Sequence, residues 1–215
     1  MSVTTAIKPK ENEKRDKLYT VEEYLQMEEF SLVNHEFHKG KLIPMAGGTA
    51  PHSEIKGLVI TALNNALEQA GKPWKVYNSD IRIYLPELDR IVMPDGAVVT
   101  GKPEFRIDRV GMLLNPTLVV EVVSTDSEAY DRGEKFRRYR TLPDFQEYML
   151  VSQTKPLVET FTKKDGKWFI NEIAEGLDAE VLLTSLGVSL SLSRLYRGVV
   201  FEENKPAKSP SKKKK

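Results

Sequence analysis

The chain has 215 residues, with 32 Lys and Arg against 31 Asp and Glu, 40% hydrophobic residues and no cysteine. That length suits one domain with a well-buried core. The lack of cysteine excludes disulfides and thiolate-bound zinc or iron–sulfur sites. No stretch approaches the roughly 20 apolar residues of a membrane span, and no apolar signal segment opens the chain, so a cytoplasmic protein with no membrane contact is expected. The net charge of +1 is uneven: residues 1–17 hold five basic and three acidic residues and residues 202–215 hold six and two, which leaves a body of −5. Such a body counts against tight nonspecific binding of nucleic acid and leaves that attraction to local patches or tails.

In chain order, residues 1–17 lack apolar periodicity and are expected to be disordered, with one domain spanning 18–201. Thr20 followed by Glu23 is a capping-box signal for a short helix with Tyr24 and Leu25 inward. Asn34 to Met45 reads as a β-hairpin turning at Lys39-Gly40, with Glu36 on its first arm. From these residues alone Glu36 has two readings, a solvated strand acid, which the pattern favours, or an acid of a site. The Gly-rich link from Ala46 to Ser53 reads as a plain turn rather than a phosphate cradle. It leads into an amphipathic helix whose apolar residues run from Ile55 to Leu67, with Gly71 as the stop. His52, near the start of that helix, has two readings: it touches a phosphate or carboxylate, or it is a capping or surface histidine. Trp74 to Leu85 alternates with a phase shift at Ser79-Asp80, which predicts one long strand with a bulge and Asp80 in support of a site.

The stretch from 94 to 139 carries the chemistry. Asp95 sits at the mouth of Gly96-Ala97-Val98-Val99, and Glu121 lies inside Leu118-Val119-Val120-Glu121-Val122-Val123-Ser124, a run that reads as a buried strand. A carboxylate there is costly without an ion pair, a hydrogen-bond network or a metal ion, and two of them on adjacent strands suit a divalent cation such as Mg²⁺. Downstream, residues 127–139 predict a helix on which Phe136, Tyr139 and Leu142 form the apolar stripe. Lys135 and Tyr139, four apart, share a face that aims an ammonium at the carboxylates. Gln146 to Val151 predicts a further core strand. Leu157 to Thr162 and Trp168 to Ile173 predict an edge hairpin with an Asp165-Gly166 turn. Short apolar pieces follow at 181–183 and 188–192, with a last turn near Leu195. Residues 202–215 form a Lys-rich tail, either a DNA-steering arm or a solubilising end.

The order Pro-Asp, then an acid in a β-branched strand ending in Ser, then Tyr-Asp-Arg-Gly-Glu-Lys with a Tyr four residues on, resembles the Uma-type restriction-endonuclease family of the PD-(D/E)xK nuclease superfamily. The resemblance runs over about 18–200 and includes His35-Glu36-Phe37 with Gly40, Ser79-Asp80, Asn115-Pro116 and Glu147-Tyr148. It implies an α/β (α+β) restriction-endonuclease-like fold, a mixed central β-sheet flanked by helices with additional β-hairpins. It also implies hydrolysis of DNA phosphodiester bonds with Mg²⁺ (or Mn²⁺) held by Asp95, Glu121 and Glu36. His52, Asp80 and Tyr139 would be accessory. The superfamily places its lysine two residues after the second acid, where this chain has Val123, so the resemblance assigns that role to Lys135. Cutting both strands with one site per chain favours a symmetric homodimer. Two other readings stand beside the enzyme. One is a nuclease-fold nucleic-acid-binding or interaction protein with weak or lost catalysis, favoured by Val123 and the acidic body. The other makes Asp95–Lys135 and Glu121–Arg137 structural ion pairs.

Overall fold

Strands covered on both faces read as unbroken apolar runs, and strands covered on one face alternate; both patterns occur here, in two sheets. The computed structural model describes residues 17–45, 47–106 and 111–201. Helix α1 (Val21–Glu28) leads to the hairpin β1 (His35–His38) and β2 (Lys41–Pro44), and then to the long helix α2 (Ala50–Gln69). Strands β3 (Lys75–Tyr77), β4 (Arg82–Leu85), β5 (Arg90–Val92), β6 (Gly96–Val99), β7 (Met112–Leu113) and β8 (Leu118–Val123) follow. A helical segment comes next, made of α3 (Glu128–Tyr130), a π-helical turn (Asp131–Lys135) and α4 (Phe136–Tyr139). The chain continues through β9 (Glu147–Ser152), β10 (Leu157–Lys164), β11 (Lys167–Glu175), β12 (Glu180–Leu183), β13 (Val188–Ser191) and α5 (Leu192–Leu195).

The larger sheet has the order β11-β10-β9-β8-β6-β3, the second β2-β1-β5-β4-β7, and β12-β13 stand as a separate hairpin. Among the described strands only β8–β9 and β4–β7 run parallel. This is the mixed α/β arrangement expected from the sequence, with helices beside a mixed sheet and extra hairpins. Side chains alternate across a strand, so β8 serves two cores. Leu118, Val120 and Val122 pack with Ile55, Val59 and Leu63 of α2 and with the β12–β13 hairpin. Val119 and Val123 face the other way, toward Ile83 and Leu85 of β4 and toward Phe136 and Tyr139. Glu121 shares that second face by its place in the alternation, and so lies between the sheets and under the helical segment.

Local signals act as expected in several places. Thr20 and Glu23 close the capping box of α1. The turns Lys39-Gly40 (φ 47° and 84°) and Asp165-Gly166 (φ 51° and 75°) place both central residues in the left-handed region, as tight hairpins require. Two expectations change. The phase shift at Ser79-Asp80 is not a bulge: β3 pairs with β6 in the larger sheet and β4 pairs with β5 in the other, so the chain changes sheets there. The helix carrying Lys135 is not a plain α-helix, because its middle turn is π-helical. The expected tails at 1–17 and 202–215 lie outside the described residues, apart from Lys17.

Candidate active site

Lys135 is 3% exposed, and its Nζ stands 2.8 Å from Glu121 Oε1, 3.1 Å from the Met93 carbonyl oxygen and 3.8 Å from Asp131 Oδ1. Glu121 Oε1 also accepts a hydrogen bond from the Tyr139 hydroxyl at 2.9 Å. The π-turn serves this arrangement. It adds a residue to the turn, and Asp131, Lys135, Phe136, Arg138 and Tyr139 are all buried. The floor beneath them is aromatic: Phe136 stacks on Tyr148 at 4.8 Å and meets Trp168 edge-on at 5.0 Å, while Tyr139 packs on Phe145 and Tyr148. Such contacts fix the ring positions and with them the backbone that carries Lys135.

Asp95 enters from the neighbouring strand. Register Gly96↔Val120 sets residue 95 one step further along, opposite 121, and cross-strand partners share a face. Its amide donates to the Val120 carbonyl at 3.1 Å. One carboxylate oxygen accepts the Val122 N–H at 2.7 Å, and the other lies 3.3 Å from His52 Nε2 and 3.4 Å from Lys56 Nζ. The α2 N-terminus delivers that pair: Thr49 caps the helix, and His52 and Lys56, four apart, stand on one face. Glu36, 1% exposed, comes from β1. Its Oε2 accepts from the Tyr130 hydroxyl at 2.9 Å, while Oε1 is buried with no hydrogen-bond partner. Arg138 donates to the same Tyr130 oxygen and pairs with Glu134.

The charges do not balance. Burial opposes the Lys135 ammonium, but Glu121, Glu36, Asp131 and Asp95 together outweigh it and raise its pKa, so Lys135 is a fixed cation. Burial, with Asp95 and Asp131 adding to it, pushes Glu121 well above the usual carboxylate range even though Lys135 pulls the other way. Asp131 is raised too, again by burial first, against the pull of Lys135 and Ser127. Asp95 goes down: burial would raise it, but His52, Lys135 and the Val122 N–H together prevail. Tyr130 is raised to about 12 by burial and by Glu36.

Of the residues singled out from the sequence, Glu121, Lys135 and Tyr139 are in direct contact, Asp95 lies opposite on the next strand with His52 against it, and Glu36 bears on Lys135 through the electrostatics. Asp80 is elsewhere. It is exposed and closes a local turn with Asn78. The pairs Asp95–Lys135 and Glu121–Arg137 are replaced by Lys135 with Glu121 and Asp131, and by Asp95 with His52 and Lys56; Arg137 is exposed. Val123 is buried in the apolar cluster. The sequence reading missed Asp131, Tyr130 and Lys56, although Asp131 four before Lys135 and Lys56 four after His52 both carried the spacing of a shared helix face. Among the described residues no three carboxylates or imidazoles already stand at metal-ligand spacing.

The fold is shared with a solved structure. A solved structure from Anabaena variabilis ATCC 29413, titled a "putative nuclease belonging to DUF820", superposes with a TM-score of 0.65 over 85% of this chain and 99% of that one, at 17% identity. The sequence adds the family: residues 21–193 match the Uma2 model, described as "Putative restriction endonuclease", and the chain belongs to that family. Two uncharacterized proteins of Synechocystis sp. (strain ATCC 27184 / PCC 6803 / Kazusa) are similar to it. One, sll1609, is 34% identical over 77% of this chain and 92% of its own length; the other, slr1290, is 38% identical over 84% and 92%. Among the described residues no helix is long and apolar enough to cross a membrane.

Proposed function

We propose that this protein is a metal-dependent endonuclease that hydrolyses DNA phosphodiester bonds in the cytoplasm, as a symmetric homodimer when both strands are cut. The observation that carries the reading is the buried ammonium of Lys135 between Glu121 at 2.8 Å and Asp131 at 3.8 Å, with Asp95 and Glu36 acting on it from further away, which leaves more carboxylates than ammonium groups on hard oxygen donors. The unpartnered Glu36 Oε1 and the raised Glu121 are what a cation would answer, and carboxylate oxygens suit Mg²⁺ or Mn²⁺. Asp95, Glu121 and Glu36 would hold that ion, which when bound supplies an acidified water and charge neutralisation at the phosphate.

The chain's own residues do the rest. Asp95, held below the usual range and anchored by the Val122 N–H, stays anionic at neutral pH. Tyr139 fixes the rotamer of Glu121. Lys135 keeps its proton, so it acts as a charge that orients and offsets the phosphate rather than as a base. The ammonium reaches Glu121 from the helix, in place of a strand lysine at Val123. One observation favours the other reading, a nuclease-fold binding protein without turnover: Val123 leaves the strand position apolar. Cleavage of supercoiled and linear DNA with and without Mn²⁺ separates the two, with the Asp95→Ala protein alongside. The enzyme reading expects Mn²⁺-dependent nicking or linearisation, lost in Asp95→Ala. DNA binding without any cleavage in the parent would leave only the second reading.

A further inference from the structure

We propose that the cleft beside the acidic cluster is a phosphate-binding site that holds a backbone phosphate of the nucleic-acid strand adjacent to the one being cut. The cleft encloses about 340 Å³, and His38, Lys39, Arg90, Glu134, Arg137 and Arg138 line it. Four cations and an imidazole face one carboxylate there, and that carboxylate is already engaged by Arg138. The feature that marks a built site is Arg90. It is 3% exposed, and its Nη1 is buried with no hydrogen-bond partner. A buried guanidinium N–H left unpaired is costly, and the planar fork of arginine matches two oxygens of a phosphate. The surroundings point the same way: burial first and then Arg138 disfavour the charge on Arg90 and outweigh Tyr130, Glu36 and Glu134, and burial followed by Arg90, Arg138 and Lys39 does so on His38 against Glu134. An oxyanion would relieve all of these.

The geometry ties the cleft to the acidic cluster. His38 and Arg90 are cross-strand partners of β1 and β5, and Glu36, two residues before His38, shares their face of the sheet. On one face, then, a buried carboxylate oxygen and a buried guanidinium nitrogen each lack a hydrogen-bond partner. Arg138 joins them, since it lines the cleft and donates to the Tyr130 hydroxyl that holds Glu36. A phosphate in the cleft would answer the guanidinium, while the cation proposed for the acidic cluster would answer the carboxylate and hold the neighbouring phosphate of the same strand.

The source of the phosphate rests on the nuclease reading, whereas the anion site stands without it, so the test is run in EDTA, where no cleavage occurs. A short labelled DNA duplex is titrated by fluorescence anisotropy at several salt concentrations, and inorganic phosphate is titrated by thermal shift. The parent is compared with Arg90→Met and with Arg137→Ala, whose site is exposed and whose fold is not at risk. We expect each variant to bind the duplex several-fold more weakly and to lower the salt slope by about 0.9 for each phosphate that is no longer neutralised. Inorganic phosphate should stabilise the parent more than either variant. Duplex and phosphate binding unchanged in Arg137→Ala and in folded Arg90→Met would overturn the site. Phosphate stabilisation that needs Arg90, with duplex binding that does not, would overturn the strand as its source. A parent that binds in this way yet never cuts with Mn²⁺ would defeat the nuclease reading and leave the phosphate site standing.

Discussion

Two buried glutamates on adjacent parallel strands show how differently the fold can answer the same side chain. Glu121 in β8 is 2% exposed and Glu147 at the start of β9 is 0% exposed, and the register Leu118↔Glu147 puts them three residues apart along the ladder. They face opposite cores. Glu147 accepts the Thr184 N–H at 3.0 Å, the Ser185 N–H at 2.9 Å and the Ser185 hydroxyl at 2.7 Å, and so pins the turn between β12 and β13. Neutral donors meet it on both oxygens. Glu121 is met on one oxygen by Lys135 and Tyr139, in a cluster with more carboxylates than nearby ammonium groups. Burial of an acid therefore does not mark a site. What sets Glu121 apart is compensation confined to one oxygen, by one ammonium and one hydroxyl.

The largest expected difference between the two regions comes from Lys135→Met. Removing one partner of a buried ion pair costs about 3–5 kcal/mol, and DNA cleavage should fall by about 10²–10³-fold, as for loss of one preorganised charge at a reacting phosphate. Urea unfolding without metal and cleavage with saturating Mn²⁺ measure the two effects. Adding Val123→Lys to this variant should recover part of the activity if only the position of the charge matters. Unchanged cleavage in Lys135→Met would make Lys135 a purely structural ion.

Glu147→Ala should act on stability alone. It leaves the Thr184 and Ser185 donors unmet, at a cost of about 3 kcal/mol, while cleavage per folded molecule stays at the parent level. A specific activity that falls as far as in the Asp95→Ala protein would erase the distinction drawn between the two glutamates.

A smaller effect appears in pH. Glu121 and Asp131 are raised above their ordinary values of 4.5 and 3.8, and burial raises Glu147 above 4.5 as well despite its Ser185 and Thr184 donors, so each binds its proton more tightly in the folded state than in the unfolded one. Between the ordinary and the raised value the native protein holds the extra protons, and stability falls as pH rises through that window. Asp95 is lowered, so its opposite contribution is lost only as pH falls below 3.8, outside this range. Metal-free parent protein should therefore lose stability from just above pH 4.5 toward neutrality, and Glu121→Gln should flatten part of that slope. Identical slopes for parent and variant in urea titrations would show that Glu121 is not raised.

The elements that could be read from the sequence are those set by local pattern. The capping box at Thr20 and Glu23, the two left-handed turn pairs, the amphipathic face of α2 and the apolar run of β8 each rest on a few neighbouring residues. Asp95 and Glu121 could be paired because β6 and β8 are both short apolar runs with an acid at a definable place. What could not be read depends on angles or on distant pairing. Alternation broken at Ser79-Asp80 looks the same for a bulge and for a change of sheet, and the choice belongs to the partners β6 and β5. The π-turn leaves no mark in the periodicity of so short a helix. Arg90 becomes notable only because β5 pairs with β1 and sets it against His38, a pairing between residues about fifty apart in the chain.

On the proposed reading the Glu121 cluster takes up a divalent cation and the Glu147 site does not. Unfolding free energy is measured as Mn²⁺ or Mg²⁺ is raised, in the parent, in Glu121→Gln and in Glu147→Gln. A specific site stabilises the native state by mass action, by about 2.7 kcal/mol at a hundred times its Kd. The parent and Glu147→Gln should both gain stability by this amount, with Glu147→Gln starting lower, and Glu121→Gln should gain little or nothing. Equal stabilisation of Glu121→Gln and the parent by Mn²⁺ would contradict the claim.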